Sequence, residues 1–172
     1  MRPEQKRALL KWTVHGLWIF LLFLLQQTPG LFPPIFGARP VLLPSAVMCL
    51  AMFEGETAGA LFGVLAGLMW DATRLRPIGY SSALLMVMGL FCGLLILYFM
   101  RNHVFTALFY CGTALLIYEL LDLILFVLPG SPEPPGAAAY VVVLVRILYS
   151  MLFAPLIYWI QRRLSRRFEP ET

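Results

Sequence analysis

Long apolar runs alternate along the chain with short segments carrying proline, glycine or charge. Six runs stand out, at about 9–27, 40–54, 57–73, 78–100, 104–128 and 138–160. About 20 apolar residues in helical conformation cross the hydrocarbon core of a bilayer, so these runs read as membrane-spanning helices. The second and third are short and are divided only by Glu54-Gly55-Glu56, so 40–73 is either two tight spans or a pair of partly inserted helices. The first run follows Lys6, Arg7 and Lys11 as in a signal peptide, yet it leads into Gln26, Gln27 and Pro29 with no A-x-A site. It is therefore expected to be a retained span.

Composition agrees with the pattern. Of 172 residues, 60% are hydrophobic and 13% charged, which excludes an ordinary soluble domain. Six spans take on the order of 120 residues and leave no room for a separate soluble catalytic module. The expected fold is an all-α integral membrane protein, a single bundle of about six transmembrane helices, closed by a basic cytoplasmic tail at 161–172.

The net charge of +4 would suggest nucleic acid in a soluble chain. Here the basic residues cluster at the two ends and report orientation instead, so no nucleic-acid partner is expected. Arg2, Lys6, Arg7 and Lys11 precede the first span, and Arg162, Arg163, Arg166 and Arg167 follow the last. With Arg101 they place nine basic residues inside against three outside, Arg39, Arg74 and Arg76. Both termini are thereby expected in the cytoplasm, with Arg74 and Arg76 as the dissenting pair. The four arginines of the tail suit the anionic inner leaflet, or a cytoplasmic partner. Trp12, Trp18, Trp70 and Trp159 lie near expected span ends or within a turn or two of them, as in an aromatic belt. The connections expected outside, 28–39 and 129–137, are rich in proline and glycine and either turn the chain or form a small docking surface.

Inside the spans, Gly55, Gly59, Gly63 and Gly67 recur every four residues, and Asp71 continues the register. Such a stripe lets two helix backbones approach closely, and Gly89 and Gly93 make the fourth span its partner. Asp71 either caps the following turn, pairs with Arg74, or serves as a proton or ligand site. Glu119 and Asp122 share a face of the fifth span, and Arg146 lies in the sixth. Counted inward at 1.5 Å per residue, Glu119, Asp122 and Arg146 lie about 13, 9 and 12 Å deep, so the arginine is expected between the carboxylates. That cluster is a structural clamp, a transport site or a docking patch. Pro155 is expected to kink the sixth span. Cys49, Cys92 and Cys111 show no metal or disulfide spacing and read as packing residues. There is no Walker loop, H-E-x-x-H or G-x-S-x-G, so neither a catalytic residue, a cofactor nor a metal is expected.

The stretch Arg39-Pro40-Val41-Leu42-Leu43, then Gly59, Gly63, Gly67-Leu68 and Asp71, then Pro77-Ile78-Gly79 and Gly89, resembles the bacterial rod shape-determining protein MreD family. Total length and a sixth span ending Pro155-Leu156-Ile157-Tyr158-Trp159 before a basic tail are similar too, whereas the proline-rich 129–136 departs from the pattern. The resemblance implies a non-enzymatic scaffold of the bacterial inner membrane. Such a scaffold acts with the single-span MreC protein and, indirectly, with the actin-like MreB filament and the enzymes that insert peptidoglycan along the side wall. A six-span arrangement is also similar to the substrate-binding components of vitamin transporters, which keeps a transport reading open.

Overall fold

The computed structural model describes residues 3–73, 77–99, 103–127 and 137–167. Among them are six helices and no strand beyond a single bridge between Ile35 and Ala38. The helices are α1 (Pro3–Gln27), α2 (Leu43–Glu54), α3 (Glu56–Asp71), α4 (Tyr80–Phe99), α5 (Val104–Asp122) and α6 (Ala137–Arg166). A π-helical turn, Leu123–Val127, continues α5. Arg74, Arg76, Arg101 and the proline-rich 129–136 lie outside the described residues.

Four helices, α1, α4, α5 and α6, are long and apolar enough to cross a membrane. The other two are short. With 12 and 16 residues, α2 and α3 reach only about 18 and 24 Å, against a hydrocarbon core of about 30 Å. The reason for the short α2 is visible at its start. The chain enters the bundle as a buried non-helical segment through Pro40 and Val41, and its amides find side chains in place of helical carbonyls. Val41 N–H donates to Ser150 Oγ at 2.7 Å, and Leu42 and Leu43 N–H donate to Gln26 Oε1 at 2.8 and 3.3 Å. Non-helical backbone is tolerated at membrane depth when protein groups satisfy it in this way.

Every residue of α2 from Leu43 to Met52 is buried, and α2 touches all five other helices. It is the axis of the bundle. Enclosed by protein from Leu43 to Met52, it would need no length matched to a bilayer. Free thiols pack its sides: Cys49 and Cys111 Sγ lie 3.9 Å apart, and Cys92 contacts the Met48 carbonyl.

Gly55 alone separates α2 from α3. The expectation that it belongs to the packing stripe is corrected here. Nothing lies within 4 Å of a Cβ placed on it, and its φ of +89° marks it as the pivot that reverses the chain. The stripe proper begins at Gly59. There a Cβ would stand 2.5 Å from Ala51 Cβ and 2.8 Å from the Gly89 carbonyl oxygen, and on Gly63 2.5 Å from the Leu85 carbonyl oxygen. Cβ atoms on Gly67, Gly89 and Gly93 would meet the backbones of Ser82, Gly59 and Glu56 at least as closely. These contacts set an antiparallel register, Gly59 facing Gly89 and Gly67 facing Ser82, with α3 and α4 in backbone contact.

Candidate functional site

Two polar assemblies occupy opposite ends of the bundle. At the distal end, where α3 passes to α4, Asp71 is 2% exposed. Its carboxylate accepts the N–H groups of Gly79 at 2.8 Å, Ser81 at 3.1 Å and Ser82 at 3.3 Å, and the Ser82 hydroxyl at 3.3 Å. It therefore caps the amino end of α4, where a negative charge also opposes the helix dipole. Gly79, at φ +103°, turns its amide toward the carboxylate. Of the roles open to Asp71 from sequence, the geometry forms the cap, across to the next helix. Trp70 beside it is buried and stacked on Tyr118, with centroids 4.7 Å apart, and the Tyr118 hydroxyl meets Ser81 Oγ at 3.0 Å.

Glu119 is 2% exposed on α5, and Arg146 of α6 reaches it with Nη1 2.9 Å from Oε2 and 3.2 Å from Oε1. Asp122, also buried, is the last residue of α5 before the π-helical turn. Ser150, one turn beyond Arg146, accepts from Val41 and donates to the Arg146 carbonyl, which ties the ion pair to the entry of α2. The Arg146 side chain is about a quarter exposed and lines a cavity of about 230 Å³. Gln27, Arg39, Pro40, Trp70 and Thr73 share that wall. The cavity thus brings Arg39 and Pro40 together with one member of the charge cluster.

The proximal end, which holds Lys11, Glu54 and Ser165, contains an assembly that sequence reasoning missed. The Glu54 side chain is 3% exposed, forms an ion pair with Lys11 and accepts the Ser165 hydroxyl. His15 is wholly buried. Its Nδ1 lies 2.8 Å from the Lys11 carbonyl, which can only accept, so Nδ1 carries hydrogen and Nε2 faces Glu54 Oε1 at 3.6 Å. One carboxylate therefore joins α1, α2 and α6. The signal available in sequence was a glutamate at the end of an apolar run, with Lys11 and His15 four residues apart on one face of the first.

The expected tail is corrected in part. Residues 161–166 continue α6, with Gln161 and Ser165 buried. Arg163, Arg166 and Arg167 are exposed and Arg162 is half-buried, while 168–172 lie outside the described residues. Trp159, Arg162, Arg163 and Arg166 line a concavity of about 280 Å³. Between α4 and α5 runs an apolar groove of about 370 Å³, with Met48 of α2 and Met88, Phe91, Tyr110 and Ala114 among its walls. Among the described residues no three His, Cys, Asp or Glu side chains stand together so as to hold a metal ion.

No protein-family model, curated protein or solved structure matches the chain.

Proposed function

We propose that the chain is a non-enzymatic scaffold of the bacterial inner membrane that helps control cell shape and side-wall peptidoglycan synthesis by binding an MreC-like single-span protein. In this reading all six helices lie within the bilayer and both termini are cytoplasmic. The actin-like MreB filament and the elongation enzymes are reached through the partner. The motif resemblance over 39–79 and the excess of basic residues at the two chain ends support it. The observation that carries it is the filled interior. Helix α2 occupies the axis that a solute would need, buried along Leu43–Met52 and touching every other helix. The charges beside it are engaged in structure: Asp71 on backbone amides of α4, Glu119 on Arg146.

The distal cavity favours a second reading, the substrate-binding component of a vitamin-type transporter. Its 230 Å³ are lined by Arg39 and Arg146 and by the polar residues Gln26, Gln27 and Thr73, a composition that suits a small polar solute. A mild-detergent pull-down of the tagged chain from its native membrane separates the two. Recovery of an MreC-like protein with wall-elongation enzymes is the result expected of the scaffold. Recovery of an ATPase-type module, or of the chain alone with a bound small molecule, replaces that reading with transport.

A further inference from the structure

Residues 159, 162, 163 and 166 follow the spacing i, i+3, i+4, i+7, so they form one stripe along the end of α6. The opposite face of the same turns is fixed. Gln161 and Ser165 are buried, and Ser165 donates to Glu54, which Lys11 also holds. The arginines therefore project from an anchored helix. Arg163 is further placed by its neighbour, its guanidinium carbon 5.0 Å from the centre of the Trp159 ring. A cation held over an aromatic ring loses freedom of movement while keeping its donors.

Among the described residues no carboxylate lines this 280 Å³ concavity, and Glu54 is engaged on the other face. Three arginines lining one opening, with no acid beside them among the described residues, match an oxyanion with several acceptor oxygens, above all a phosphate. The level along the helix identifies its source. The apolar run of α6 begins near residue 138, and about 20 residues of helix traverse the hydrocarbon core, which sets Trp159 within a turn of the boundary. Tryptophan prefers that boundary, and the arginines follow within roughly 10 Å, at headgroup level. We infer that Trp159, Arg162, Arg163 and Arg166 form a binding site for the phosphate of an anionic phospholipid headgroup. A general attraction of basic residues to an acidic leaflet depends on charge alone. This site depends on which arginine carries the charge and on the anchor behind it. It does not rest on the scaffold reading and stands or falls separately from it.

The test uses the full chain in a neutral detergent, titrated with cardiolipin, phosphatidylglycerol, phosphatidylcholine or inorganic phosphate, with lipid adducts counted by native mass spectrometry. Saturable binding of the two anionic lipids is expected, with phosphatidylcholine not retained and inorganic phosphate not competing. Arg163→Gln lowers the affinity about fivefold, and the triple change Arg162→Gln, Arg163→Gln, Arg166→Gln about a hundredfold. Arg167→Gln removes the same charge from an exposed position outside the concavity and leaves the affinity near that of the parent chain. Ser165→Ala retains every charge but frees the helix end, and weakens binding. Equal losses in the Arg163 and Arg167 variants overturn the site in favour of diffuse attraction. Equal retention of phosphatidylcholine overturns it as well. Competition by inorganic phosphate at matched concentration reassigns it to a soluble ligand.

Discussion

A carboxylate inside an apolar bundle is stable only when its oxygens are fully occupied, and Asp71 meets that condition with three backbone amides and one hydroxyl. Asp71→Ala leaves the amides of Gly79, Ser81 and Ser82 without that acceptor and is expected to cost about 1–3 kcal/mol in detergent unfolding. A variant as stable as the parent would show that the cap is dispensable. Arg146→Ala removes the cation that faces buried Glu119, and because the arginine is itself a quarter exposed the cost is expected below the roughly 3–5 kcal/mol of a fully buried pair. Its membrane abundance should fall sharply, with Arg146→Lys partly restoring it; normal accumulation of the alanine variant would remove the pair from the list of structural supports. Residue-level reading of the sequence was uneven for a physical reason. Arg146 and Glu119 lie at similar depths on consecutive antiparallel helices, so counting along the chain finds them. The partners of Glu54 come from both ends of the chain, and no local spacing connects Ser165 to a glutamate 111 positions earlier.

At the scale of the element, the four-residue glycine repeat was legible because close backbone approach demands the absence of Cβ at each crossing. Its limit was not. Gly55 has the same spacing but a different task, a positive-φ pivot, and only the backbone distinguishes the two. The brevity of α2 was also hidden, since its apolar run begins at Pro40 while its helix begins at Leu43. Side chains distant in sequence, Gln26 and Ser150, make that non-helical entry possible. Gly63 provides the sharpest test of the seam. Gly63→Ala must move a Cβ 2.5 Å from a backbone oxygen, which no rotamer change can relieve. Thermal unfolding in detergent should start well below the parent, and Gly63→Leu should prevent stable accumulation. Unchanged melting of the alanine variant would require α3 and α4 to pack differently.

For the molecule as a whole, successive helices run in alternating directions, since Glu54 meets both Lys11 and Ser165 at one end while Gln26 meets Leu42 at the other. The six helices of the described residues return the chain to the end where it began, which holds Lys11 of α1 and Ser165 of α6 on the same carboxylate. The class of fold and the location of the charges follow from apolar periodicity. The buried axis does not, because an apolar helix in lipid and an apolar helix in protein have the same composition. A closed axis of this kind suits a protein that holds others in place. Depletion of the chain in its native cell, with cell shape and side-wall peptidoglycan insertion followed together, tests that function most directly. The scaffold account predicts that cells lose their rod shape as side-wall insertion declines. Cells that keep both shape and side-wall insertion while losing uptake of a small solute would contradict it.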